Sequence, residues 1–165
     1  MRPVRSVLVV VAALALTLVA ACSTAAPAPS GPDSLAFSSR TLQGAEFDGR
    51  SLAGRPTVLW FWAPWCSVCR SEAPSIARAA QQHPDVTFVG VAALDQIPAM
   101  NQFVETYQLG GFTHLADLDT SVWRRFGVTE QPAFAFIAPD GSVQVVKGTL
   151  AEPDLAQRLA ALGRA

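Results

Sequence analysis

Charge is scarce in this sequence. Aspartate, glutamate, lysine and arginine make up 15% of its 165 residues, and Lys147 is the only lysine. Twelve basic residues stand against thirteen acidic ones, without blocks of either sign. No basic stripe offers itself to a phosphate backbone, so nucleic acid is set aside as a partner. Histidine is scarce too, with His83 and His114 the only two, and cysteine is confined to Cys22, Cys66 and Cys69. A zinc finger needs four ligands: His83 falls at a plausible distance after Cys69, but Val86 to Gly90 occupies the stretch where the last histidine would stand, so no metal is expected. A covalent haem site needs histidine directly after the second cysteine, and Arg70 is there instead. Long apolar runs are also missing. The 16 residues between Arg5 and Cys22 fall short of the roughly 20 that span a bilayer. No internal repeat is present.

What is present begins with an address. Arg2 and Arg5 supply positive charge, Val7 to Leu16 is unbroken apolar sequence, and Ala20-Ala21 offers small residues for cleavage, the three marks of a signal peptide. Leu18-Val19-Ala20-Ala21 directly before Cys22 resembles the lipobox of bacterial lipoproteins. That resemblance implies a signal peptide over 1–21, removed before Cys22, and a diacylglyceryl group on the Cys22 thiol that anchors the protein to the membrane. It also leaves Cys66 and Cys69 as a pair, where an exported chain with three cysteines would otherwise hold an odd thiol. The alternative is an ordinary signal peptide with Cys22 removed or idle. Residues 23–34, STAAPAPSGPDS, cannot bury enough apolar surface to fold and read as a flexible tether. Abundant alanine and arginine with one lysine suggest a high-GC bacterium.

One folded domain is expected over 35–165. Phe37 to Leu42 reads as an edge strand of a small hairpin whose turn signal is Asp48-Gly49. Thr57 to Trp62 is a β-branched and aromatic run too short for a buried helix, and so predicts a central strand covered on both faces. Cys66 to His83 predicts a helix continuing past Pro74, Val86 to Ala92 a second buried strand, and Ile97 to Tyr107 and Asp119 to Phe126 two further helices. Ala133 to Ile137 and Val143 to Val146 form a hairpin across Pro139-Asp140-Gly141, and Glu152 to Leu162 closes the chain as an amphipathic helix. This order describes an α/β fold, a mixed sheet with helices on both faces.

The chemistry concentrates at Trp65-Cys66-Ser67-Val68-Cys69. Two cysteines three apart at the start of a helix put Cys66 at the solvent-facing end, near unpaired amides that favour a thiolate, and Cys69 nearly a turn further in. Unequal thiols suit exchange in two steps, with Cys66 meeting the substrate sulfur and Cys69 resolving the mixed disulfide. A structural disulfide here would close only a tiny loop, a weak restraint on an unfolded chain. Trp65 has two readings, a surface beside the nucleophile or a packing aromatic.

VLWFWAPWCSVCRSEAP, Val58 to Pro74, resembles the active-site strand and helix of the thioredoxin superfamily, in particular its TlpA, ResA and DsbE-like extracytoplasmic branch, through the motif W-C-x-x-C-x-x-E-x-P. The resemblance runs from the first hairpin to the final helix. It implies a thioredoxin-like fold, attack by Cys66, resolution by Cys69, and a cis-proline at Pro132 that faces the pair, keeps metals away and leaves the Gln131 backbone free to pair with a substrate strand. Read without the family, Pro132 could simply lead into a strand. Glu72 matches the acidic residue this branch carries after the motif, implying pKa tuning or proton relay; the alternative is a solvated glutamate favoured by the helix dipole. Two departures stand out: Trp60 where thioredoxin has a buried aspartate, and Ser67-Val68 between the cysteines where the usual reductase has proline second. Ala93 to Thr120 is similar to the strand-helix insertion of this branch, adding specificity or simply core.

The function expected is extracytoplasmic thiol-disulfide exchange on protein cysteines, similar to that of mycobacterial secreted DsbE-like proteins. The resemblance to those proteins implies an oxidising role on exported cysteine-containing proteins, no cofactor besides the Cys66-Cys69 disulfide, and a membrane redox partner that recycles the pair. The alternatives are a reductase serving cytochrome c maturation and, in another class, a non-catalytic thioredoxin-fold binding or chaperone module. A peroxidase of the same superfamily would carry threonine where Ala63 stands.

Overall fold

In the computed structural model, residues 32–162 are described; the predicted signal peptide, Cys22 and the tether as far as Gly31 lie outside the described residues. The described chain opens with a 3-10 turn, Pro32–Leu35, whose Ser34 and Leu35 are already buried.

The run of β-branched and aromatic residues at Thr57–Trp62 forms the strand expected of it, with every residue buried. Because side chains alternate along a strand, its two faces feed two cores. Val58, Trp60 and Trp62 enter one, Leu59 and Phe61 the other. In chain order the strands are β1 (Ser38–Arg40), β2 (Glu46–Asp48), β3 (Thr57–Trp62), β4 (Thr87–Ala92), β5 (Thr113–Ala116), β6 (Ala133–Ile137) and β7 (Val143–Lys147). The helices are α1 (Ser67–Gln82), α2 (Ile97–Thr106), α3 (Ser121–Arg125) and α4 (Glu152–Leu162). Five strands make a mixed sheet in the order β5-β4-β3-β6-β7, with β3, β4 and β5 mutually parallel and β6 and β7 antiparallel. The first core takes Cys69, Ala73 and Ile76 of α1, Met100 and Phe103 of α2 and three leucines of α4; the second takes Val122 and Trp123 of α3 with Phe126. The result is the thioredoxin-like α/β fold that the resemblance implied.

Several boundaries differ from expectation, each for a local reason. β1 is only three residues long, because Thr41 and Leu42 leave β2 and turn to the outer strand: Thr41 bridges Leu115, and the Leu42 amide donates to the His114 carbonyl at 2.9 Å. Asp48-Gly49 is not the hairpin turn. That turn lies at 41–45, with Gly44 at φ 85 supplying the left-handed residue it needs. Asp48 instead caps the 3-10 turn Gly49–Leu52 by accepting from the Arg50 amide. α3 begins at Ser121, not Asp119, since Thr120 takes a left-handed φ of 57 while the Asp119 carboxylate accepts from the Ser121 amide at 3.0 Å. The segment 93–120 holds α2 and then β5, which adds a fifth strand beside β4. Pro74 sits exposed within an α1 that runs unbroken to Gln82.

Candidate active site

The site stands where β3 ends. After Trp62 the chain turns, the Cys66 amide donating to the Ala63 carbonyl at 3.1 Å, and α1 starts at Ser67 with Cys66 as its N-cap in an extended conformation. The first amides of a helix lack intrahelical partners, and here the Cys66 sulfur takes the role usually played by a serine or aspartate oxygen, accepting from the Cys69 amide at 3.1 Å. Cys66 and Cys69 are joined as a disulfide with Cα atoms 5.3 Å apart. Cys69 is 0% exposed and Cys66 5%. The order of access is as expected, yet Cys66 is far less open than a solvent-facing thiol, because its side chain belongs to the same buried cluster as Trp62, Ala63 and Cys69.

Glu72 is buried at 8% exposure, not solvated. Its two oxygens are held separately: the Trp60 indole N–H donates to Oε1 at 2.8 Å, and the Thr149 hydroxyl donates to Oε2 at 2.9 Å. Burial pushes its carboxyl above the usual range, and the two donated bonds offset part of that rise. Glu72 lies one turn beyond Cys69 on the buried face of α1. Trp60, which replaces the aspartate of thioredoxin, therefore serves a carboxylate supplied from the neighbouring helix. No spacing rule signals a strand residue, a helix residue and Thr149 of the β7–α4 loop as one unit, and Thr149 escapes the sequence altogether.

The Gln131-Pro132 peptide is cis. β6 follows immediately and pairs antiparallel with β3, Ala133 opposite Phe61, which brings Pro132 to the end of the sheet where Cys66 sits. Pro132 is buried, and its carbonyl accepts from the Gly148 amide at 2.8 Å. Gln131 is half-buried and lies outside the paired register of β6. The Trp65 side chain is exposed, and its indole donates to the Leu94 carbonyl at 3.0 Å. Arg70, on the exposed side of α1, donates through Nε to the Pro64 carbonyl at 2.8 Å and steadies the turn before the cysteines.

Beneath the site, Gly90 of β4 makes room for two rings. A Cβ at this position would collide with the His114 imidazole and approach Trp62 Nε1 to 2.9 Å. His114 shares a hydrogen bond with the Leu109 carbonyl through Nε2 at 3.0 Å. Its Nδ1 and the Trp62 indole N–H are buried without a protein partner. Burial lowers the His114 pKa to about 4. No group of three or more metal-ligating side chains stands together among the described residues.

Residues 26–146 match the model of the AhpC/TSA family. The chain is 42% identical to the soluble secreted antigen MPT53 of Mycobacterium tuberculosis over 93% of its own length and 90% of that protein's. Among solved structures it superposes on MTB dsbF with a TM-score of 0.79 at 55% identity, covering 80% of this chain and 98% of that one. A secreted Mycobacterium tuberculosis disulfide oxidoreductase homologous to E. coli DsbE gives 0.75 at 46% identity, covering 79% and 98%. The chain thus belongs to the AhpC/TSA family and is a thioredoxin-like thiol-disulfide oxidoreductase of the DsbE type, with Cys66 and Cys69 as its redox pair.

Proposed function

We propose that the protein donates disulfides to exported proteins outside the cytoplasm, held at the membrane by lipid on Cys22. The observation that carries the direction is the position of the Cys66 sulfur at the N-cap of α1, 3.1 Å from the Cys69 amide. A thiolate there is favoured by that donor and by the positive end of the helix. Stabilising the thiolate stabilises the reduced pair, and a pair stable when reduced is a strong oxidant.

The cycle follows from the unequal burial of the two sulfurs. A client thiolate attacks Cys66, the more accessible one, and the Cys66–Cys69 bond breaks with its electron pair leaving on Cys69. Glu72, one turn away and proton-holding nearer neutrality than an ordinary glutamate, supplies the proton that the buried Cys69 thiolate takes up. A second client thiolate attacks the client sulfur of the mixed disulfide and releases Cys66 as a well-stabilised thiolate. The client leaves oxidised and the pair reduced, so each turnover requires an electron acceptor, assigned to a membrane redox partner. Trp65, exposed beside Cys66, and the Gln131 backbone next to Pro132 receive the client chain.

The test is the equilibrium reduction potential of the pair against glutathione buffers. A value of roughly −120 to −180 mV supports the oxidising role; a value near roughly −270 mV overturns it in favour of a reductase such as cytochrome c maturation requires.

A further inference from the structure

Four large apolar side chains are exposed among the described residues: Trp65, Val68, Leu94 and Leu118, the last the most open at 57%. Isolated apolar residues on a surface are ordinary, but these are not scattered. β3, β4 and β5 run parallel and side by side, so their C-terminal ends share one end of the sheet. Trp65 follows β3, Leu94 follows β4, Leu118 follows β5, and Val68 lies in the first turn of α1. The exposed apolar side chains therefore stand in file, in sheet order, from the redox pair to the outer strand.

The backbone holds the file in place. Leu94 occupies a left-handed conformation at φ 63, unfavourable for a residue with a side chain, and its carbonyl is held by the Trp65 indole. Asp117, just before Leu118, is tied on both sides: its amide donates to the Ala92 carbonyl at 2.8 Å, and its buried carboxylate accepts from the Val122 and Trp123 amides at 3.1 and 2.9 Å. Leu118 is thus displayed on an anchored loop. It lines a cleft of about 740 Å³ between the β1–β2 hairpin and that loop, where Phe47 and Ile97 are the other large apolar side chains in a lining that is otherwise mostly polar, with Arg40, Glu46, Asp48 and Asp119 at its walls.

We propose that Leu118 and this cleft are a second docking point for the client chain, taking an apolar side chain a short distance from the reacting cysteine. This rests on the reading that the clients are polypeptides. The client chain is the occupant because β3 and β5 run parallel and end on the same side of the sheet, which is the side where Cys66 meets the client sulfur. Adjacent strands are about 4.8 Å apart, so β5 lies roughly 10 Å across from β3, and an extended chain rising about 3.3 Å per residue covers that distance in roughly three to five residues. A small thiol the size of glutathione bound at Cys66 does not reach it. The extra strand β5 thereby becomes a specificity element, since it is the strand that places Leu118.

Synthetic cysteine peptides with a single phenylalanine at two, four, six or eight residues from the cysteine test the proposal, using the intact protein and its Leu118→Ser and Leu118→Met variants. Exchange with the peptide carrying phenylalanine at four is expected to be about tenfold faster than with its serine counterpart, the effect of burying one apolar side chain. Leu118→Ser should erase that preference, Leu118→Met should keep it, and exchange with glutathione should be equal in all three proteins. A preference that survives Leu118→Ser, or one without spacing dependence, overturns the second docking point while leaving the exchange reading intact. Self-association of the native protein that Leu118→Ser abolishes also overturns it, in favour of a second copy as occupant. Loss of glutathione exchange in the unaltered protein would instead defeat the exchange reading itself.

Discussion

Acidification provides a sharp test of the packing beneath the active site. His114 is 3% exposed, its Nε2 engaged with the Leu109 carbonyl and its Nδ1 buried without a protein partner beside the Trp62 indole N–H. Burial disfavours the charged imidazolium, and the hydrogen bond to the Leu109 carbonyl offsets only part of that, which is why its pKa falls to about 4 from an ordinary 6.5. A folded-state pKa below the unfolded one means that the unfolded chain binds the proton first. The contribution of neutral His114 is thus fully present above about pH 6.5 and is lost as the pH falls toward 4. At about 1.4 kcal/mol per pKa unit the full loss is about 3 kcal/mol, of which about 2 kcal/mol disappears between pH 7 and 5. Glu72 and Asp117, both with raised pKa values, act in the opposite sense over their own windows, so the quantity to measure is a difference. Urea unfolding at pH 7, 6, 5 and 4 is compared between the native chain and His114→Gln. The native chain should lose about 2 kcal/mol more than the variant between pH 7 and 5. Parallel pH profiles would refute the assignment of a buried neutral imidazole.

Further outcomes follow from the same geometry. Trp60→Phe removes a charge-assisted donor from the buried Glu72 carboxylate and should destabilise the fold by about 1.5–3 kcal/mol where Glu72 is ionised, and by less where it is protonated. Because a raised carboxyl pKa makes stability fall as the pH rises through the interval above its ordinary value, the variant should show a steeper fall on chemical denaturation. Glu72→Gln should alter the pH profile of thiol alkylation in the reduced protein, and an unchanged profile would remove Glu72 from the exchange chemistry. Gly90→Ala forces a methyl group against His114 and Trp62 and should cost about 1–3 kcal/mol by thermal unfolding.

How far the sequence anticipated this molecule depends on the range of the interaction involved. β3 was legible because six consecutive apolar and β-branched residues have no other stable use at that length, and α4 because its leucines recur at helical spacing. Cys66 and Cys69 were legible because their chemistry depends on a local spacing at a helix start. The turn at Asp48-Gly49 was misread because the same two residues serve equally well to cap a 3-10 turn, and only the pairing of Thr41 and Leu42 with the outer strand decides between the two uses. Trp60 looked like the loss of a thioredoxin aspartate, since nothing local shows that Glu72 turns inward to meet its indole. Thr149 and Leu118 were invisible for the same reason. Their roles come from the sheet order β5-β4-β3-β6-β7, which brings distant segments to the same end as the cysteines.

The claim on which the account rests is that Cys66 is the sulfur that meets the substrate, while the buried Cys69 is released when the client attacks and stays out of the mixed disulfide. The direct measurement is capture of a mixed disulfide from a single-cysteine peptide activated as its thionitrobenzoate disulfide, with thionitrobenzoate as the leaving group, analysed by intact mass in reduced Cys69→Ala and Cys66→Ala. The account predicts a stable adduct at Cys66 in the first variant and little or none at the fully buried Cys69 in the second. Equal capture by both, or capture only at Cys69, would contradict it.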